Sequence, residues 1–128
     1  MFNGVSTNGT SLVQAQIGSG SVTTSGYVSY ATYAGGSNQA AGATGTSGFY
    51  TEATGGNALI RSGHIVLTLQ TTNTWVSSVC VGFFSGSLYY SSNGGGAVTL
   101  GGALDRVRIT TVNGTDTFDA GSINILYE

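Results

Sequence analysis

Apolar residues in this chain recur at every second position, and no stretch carries the 3.6-residue period with end caps that a helix needs. Val13, Ala15 and Ile17 alternate with Leu12, Gln14 and Gln16. Ile65, Leu67 and Leu69 share one face of Gly63–Gln70, and Trp75, Val79, Val81 and Phe83 align within Trp75–Phe84. A two-residue period turns one face of an extended chain inward and leaves the other to solvent. Turn signals separate the runs: Asn8-Gly9, Thr71–Thr74, Ser85-Gly86 and the glycines at 94–96. Short strands spaced this way indicate an all-β fold with little or no helix. The expectation is an antiparallel β-sandwich, jelly-roll-like, forming a single domain over residues 1–128.

Taken in order, Met1–Ser6 reads as a strand and Ser11–Ile17 as the next. Tyr27–Tyr33 follows, with Tyr27 and Tyr33 on one side and Tyr30 on the other. Ala34–Ser47 has the least pattern and is expected to be a long loop, of the sort that carries function or moves. The end of the chain reads as a closing hairpin. Asp105–Val112 places Val107 and Ile109 opposite Arg106 and Arg108, and Ser122–Tyr127 aligns Ile123, Ile125 and Tyr127.

Charge is scarce. Charged residues make up 6% of the chain, against about 25% in an average soluble protein. Lysine and proline are absent, so Ser, Thr, Asn and Gln must cover the surface. Three arginines within a net charge of −2 give no footprint for phosphate backbones, which excludes nucleic acid as a partner. The longest apolar run, Val79–Phe84, is broken by Gly82. A spanning helix needs about 20 such residues, so no membrane insertion is expected. The single cysteine, Cys80, has no partner for an intramolecular disulfide and is expected to be a small buried filler. No basic region followed by an apolar run opens the chain, so no secretory signal is expected. Sequence that begins mid-strand suggests a piece of something longer, or an internal start.

Few side chains invite chemistry. Asp105, Asp116 and Asp119 gather near the end and would suit a hard cation, but their spacing fits no EF-hand loop. Turn-stabilising roles for Asp116 and Asp119, and an arginine partner for Asp105, are the simpler expectation. Nothing in the spacing supports Glu52 with Asp119 as a glycosidase pair. His64 is the only histidine, so one chain holds neither a signature triad nor a two-histidine metal site; three copies meeting on a trimer axis would be needed. It is expected at a strand edge, hydrogen-bonded to its neighbours. The three glycines at 94–96 precede no lysine and read as a flexible turn, not a phosphate loop. Neither metal nor cofactor is expected, and no catalytic residue is assigned.

The aromatics offer more. Rigid rings among short polar residues are the material of adaptable recognition surfaces. Tyr27, Tyr30, Tyr33 and Tyr50, in the loop-rich region, are the candidate receptor-binding residues, while Trp75 is expected to fill the core. Asn8-Gly9-Thr10 and Asn113-Gly114-Thr115 read as turns more simply than as glycosylation sites.

Several stretches together, Met1–Ser11, Gln16–Gly20, Thr24–Tyr27 and above all Leu104–Asn124 (LDRVRITTVNGTDTFDAGSIN), resemble the carboxy-terminal domain of tailed-bacteriophage tail fibre proteins. The likeness spans nearly the whole chain and is weakest from Ala34 to Gly56. It implies a β-sandwich tip domain at the end of a homotrimeric fibre, exposed on the virion and contacting a glycan or protein receptor on the host surface. It carries over no enzymatic residues. Members of that family hold further strand sequence ahead of the position matching Met1, so a strand edge left open at the amino terminus is expected to be covered by another subunit. The alternative is a structural module, a capsid decoration or a fibre-trimerisation cap.

Overall fold

The computed structural model describes residues 1–127. Its strands are β1 (Phe2–Thr7), β2 (Val13–Ser19), β3 (Ser21–Val22), β4 (Val28–Gly35), β5 (Gln39–Gly45), β6 (Phe49–Tyr50), β7 (Ile60–Thr71), β8 (Thr74–Ser85), β9 (Leu88–Thr99), β10 (Arg106–Thr111) and β11 (Phe118–Ile123). Among the described residues the only helical element is a 3-10 turn, Gly36–Asn38. Seven strands form one sheet in the order β11-β1-β7-β8-β9-β4-β5. Four form a smaller one, β10-β2-β3, with β6 also paired to β2. All pairings are antiparallel. The fold is the all-β sandwich expected from the alternation, with sheets of unequal size.

The core is the layer between the sheets. Val13, Ala15 and Ile17 of β2 are fully buried and meet Val79 and Val81 of β8, Val98 of β9, Phe49 and Tyr27. Ile65, Leu67, Trp75, Val107 and Ile109 pack around the margin. Trp75 is therefore a core-rim residue. Leu69, further along the same face of β7, runs beyond the cover of the small sheet and is half exposed.

Several expectations are corrected. The carboxy-terminal stretch is not a hairpin, because β10 pairs with β2 in the small sheet and β11 pairs with β1 in the large one. The connection between them crosses the sandwich beside the one joining β1 to β2. Side chains lock the two crossings together. Asp116 accepts the Ser11 N–H at 2.9 Å and the Asn113 amide at 2.7 Å, and Asn8 accepts the Thr117 N–H at 2.9 Å. With these carboxylate and amide oxygens committed to Ser11, Asn113 and Thr117, the chain switches sheets instead of folding back. Glu128 lies outside the described residues. The amino-terminal strand is not an edge either, since β1 is paired on both sides and β11 occupies the edge.

Ala34–Ser47, expected as a long loop, is the second half of a hairpin in which β4 and β5 pair in register from Ser29↔Gly45 to Gly35↔Gln39. Its turn bends at Ser37 and Asn38, both at positive φ. Small residues conceal β5 from pattern reading, because an edge strand with little buried face needs no apolar alternation. Gly94–Gly96 is no turn: it lies inside β9, between β8 and β4. A Cβ at Gly96 would stand 2.4 Å from the Val28 carbonyl oxygen, so close strand approach, not flexibility, explains glycine there. Cys80 is exposed. Pairing sets it opposite His64, which is also exposed, while its neighbours Val79 and Val81 take the inner face. The two-residue period allows no other outcome once those valines are buried.

Candidate binding site

Glycines and tyrosines in this fold are coupled. A Cβ built at Gly35, Gly42 or Gly45 would fall 2.3 Å from a ring or hydroxyl atom of Tyr90, Tyr30 or Tyr50 respectively. Each ring lies across a position that offers only backbone, a device that gives an aromatic a flat seat on a sheet.

Of the four tyrosines singled out in the sequence, two are withdrawn from the surface. Tyr27 is 1% exposed. Its hydroxyl accepts the Ile17 N–H at 2.8 Å and faces the carbonyl oxygens of Ile17 and Thr23, both at 3.1 Å. Burial pushes the phenol pKa up, while the Ile17 contact and the charge of Arg108 pull against it. Tyr50 is buried over Gly45, and its N–H donates to Ser29 Oγ at 2.9 Å. Packing withdraws both from receptor contact: Tyr27, just ahead of β4, turns inward, and Tyr50 on β6 of the small sheet is buried. Tyr30 is 52% exposed on the outer face of β4. Tyr33 faces inward but lies past the end of the small sheet, and is half-buried.

Tyr33 helps build a site. Beyond the core, its ring meets Tyr90 edge-on at 5.6 Å, and Tyr90 stacks on Phe83 at 5.0 Å with an interplanar angle of 18°. The Tyr90 hydroxyl donates to Gln39 Oε1 at 3.2 Å. Facing these rings, the segment from Thr54 to Leu59 forms the far wall of an open cleft of ≈ 340 Å³, with Ser85 at its end. Tyr33 is one of the candidates drawn from the aromatics of the loop-rich region. Tyr90 and Gln39 are not among those candidates, because only the cross-strand register Gly35↔Tyr90 and Gly35↔Gln39 brings them together.

The far wall has no regular secondary structure, yet it is firmly held. Thr51 donates through both its N–H (3.0 Å) and its Oγ1 (2.9 Å) to the Val13 carbonyl. Ser92 Oγ contacts the Thr51 and Thr32 carbonyls at 3.0 and 2.8 Å. At the base, Arg61 Nε donates to Glu52 Oε2 at 2.5 Å, with both side chains at most 1% exposed. Glu52 Oε1 accepts the Val13 N–H at 3.1 Å, and Arg61 Nη1 donates to the Leu59 carbonyl at 3.0 Å. Arg61 Nη2 is buried without an acceptor. Burial pushes the Glu52 carboxyl pKa up; the guanidinium and the Val13 N–H oppose it. The pair thus ties residue 52 to residue 61 and to the small sheet, closing the loop that forms the wall.

The cleft offers aromatic faces, amides and hydroxyls. Apart from the two phenols its lining carries no titratable side chain. The three aspartates near the end of the chain are dispersed among separate partners. Asp105 pairs with Arg106 and accepts the Gly20 N–H, Asp116 ties the crossings, and Asp119 accepts from Ser6. No cluster of three metal-ligating side chains occurs among the described residues. No described helix is long and apolar enough to cross a membrane. No protein-family model, curated protein or solved structure matches the chain.

Proposed function

We propose that this chain is a non-enzymatic recognition module, the tip domain of a bacteriophage tail fibre, which docks on a host-cell surface receptor and acts on the virion outside the cell. The observation that carries this reading is the cleft between the Tyr33–Tyr90 rings and the stapled wall at 54–59. Aromatic faces stack on the C–H faces of sugars, amides and hydroxyls bond their hydroxyl groups, and a pre-held wall lowers the ordering cost of binding. That favours a surface glycan over a protein receptor. The sequence resemblance supports placing the module on a tail fibre. The experiment is adsorption of the purified chain to a panel of bacterial cells. Tyr33→Ala with Tyr90→Ala is expected to abolish binding to the adsorbing strain while Tyr30→Ala retains it. Unchanged binding by the double variant overturns the assignment of the cleft.

A structural role as a trimerisation cap is the second reading, favoured by a different observation. Strand β11 is exposed on both faces, and Ile123, Ile125, Leu126 and Tyr127 around its end are uncovered. An edge strand unprotected by lysine or proline is a pairing template. In this reading β11 pairs or packs against a neighbouring copy in a homotrimer. A solution mass of three chains supports it, and a concentration-independent monomer counts against it.

A further inference from the structure

We propose that a second cleft, on the outer face of the small sheet, binds the carboxylate of an acidic sugar residue through Arg108. The three arginines of this chain have different surroundings. Arg61 is buried against Glu52 and Arg106 pairs with Asp105 at 2.7 Å, but Arg108 has no carboxylate partner among the described residues. It is nevertheless oriented. Its Nε (2.8 Å) and its Nη2 both donate to Gln16 Oε1. Gln16 is fixed in turn, since its Nε2 donates to the Ser47 carbonyl at 2.7 Å, and Ser47 Oγ donates to Gln14 Oε1 at 2.9 Å. Gln14 and Gln16 are 2% and 3% exposed, so neither amide is free to turn away.

A guanidinium has two edges that each present a pair of parallel donors. Gln16 occupies the Nε/Nη2 edge. The Nη1/Nη2 edge as a pair meets no acceptor among the described residues, and it matches the two oxygens of a carboxylate. The cleft beside it measures ≈ 290 Å³, and its lining includes Thr24, Thr110 and the two glutamines. The Gln14 amide nitrogen donates to no described protein group. A carboxylate on Arg108 thus sits among hydroxyl and amide groups suited to a polyhydroxylated ring, in a space the size of one or two sugar residues. A single cation in a chain of net charge −2 does not recruit a polyanion by charge alone, so shape and hydroxyl contacts must select the ligand. This site is separate from the Tyr33–Tyr90 cleft, and its test does not depend on that one.

The test is a titration of the intact chain followed by backbone amide NMR, with D-glucuronate, D-glucose, acetate and a triglutamate peptide in separate arms. Glucuronate is expected to shift the amides of Gln14, Gln16 and Thr110, acetate to shift the same amides more weakly, and glucose to leave them unmoved. Arg108→Gln is expected to weaken glucuronate binding about tenfold or more. Arg108→Lys is expected to recover little of it, because the charge returns without the fork. Arg108 is exposed, and an unchanged far-ultraviolet spectrum confirms that each variant folds. Equal shifts with glucose, full binding by Arg108→Gln, tighter binding of triglutamate, or no glucuronate shift at tens of millimolar would each overturn the assignment.

Discussion

Two segments of this molecule reverse the usual link between regular backbone and rigidity. Residues 51–59 form no strand, yet Thr51, Glu52 and Leu59 are buried, and the flanking Arg61 closes the segment through Glu52. Residues 118–123 form a strand, bulged against β1, yet every one is exposed and a single neighbour holds it. The difference lies in what each segment buries. In the first, backbone carbonyls and an ion pair find partners inside the sandwich, although Arg61 Nη2 is left without one, and an unpaired charge there is costly. In the second, ladder hydrogen bonds on one side and an exposed contact from Ser6 to Asp119 do the holding, and water can replace them at little cost. A binding wall can therefore be pre-formed without secondary structure, while a strand at the sheet edge awaits a partner.

Breaking the staple is expected to have the largest effect. Arg61→Met leaves the Glu52 carboxylate buried without its cation and should cost about 3–5 kcal/mol in chemical denaturation. Combining it with Glu52→Leu should restore much of that loss, since the stranded charge is gone. A small effect of Arg61→Met would show that the wall is held by something else.

The same variant carries a pH signature. Without Arg61, burial dominates the Glu52 carboxyl, so its folded pKa rises further above the ordinary value of 4.5. The folded state then binds the proton more tightly than the unfolded chain. Stability of Arg61→Met should rise as pH falls from neutral through that raised pKa towards 4.5, then level off. Asp105 is expected to behave in the opposite sense. Its carboxyl is held down to about 2, first by the Arg106 contact and then by the Gly20 N–H. Its contribution is present above 3.8, the ordinary value, and is lost as pH falls through about 2. Side-chain NMR titration of Asp105 reads that midpoint directly.

Ser92→Ala should have an intermediate effect. It removes the hydroxyl shared by the Thr51 and Thr32 carbonyls, and leaving a buried acceptor unmet costs about 1–3 kcal/mol. Just past the other segment, replacing Ile125, Leu126 and Tyr127, all exposed, together with serine should change the stability of an isolated chain by no more than about 0.5 kcal/mol. If the chain is an oligomer, the same triple variant should lower its solution mass, which separates the two roles of the tail.

Pattern reading reached the strands that bury one face and failed where something else decides. Alternation in Val13–Ile17 and Val79–Phe83 marks the core, whereas in Ile65–Leu69 it reaches only the core margin at Ile65 and Leu67 and misses at Leu69, which is half exposed. It also sorted Tyr27 and Tyr33 from Tyr30, although burial of Tyr27 depended on the small sheet covering that end of β4. Strand β5 was invisible because alanine, glycine and threonine on an edge carry no apolar period. Gly94–Gly96 looked like a turn because glycine signals both bends and close approach, and only the neighbouring strands distinguish them. The closing hairpin failed for a topological reason: nothing local in Asn113–Asp116 reveals that its acceptors are taken by Ser11 and its own loop. The staple was equally hidden. Glu52 and Arg61 stand nine residues apart in a glycine-rich stretch, and no period connects them.

Native-state amide hydrogen exchange tests the contrast most directly, because one data set reads both segments. The Val13 N–H, bonded to Glu52, and the Thr51 N–H, bonded to the Val13 carbonyl, are expected to exchange only through global unfolding. The β11 amides that bond β1 are expected to exchange through local opening, orders of magnitude faster. Slow exchange along β11 in a verified monomer, or fast exchange at Val13 and Thr51, would contradict the account.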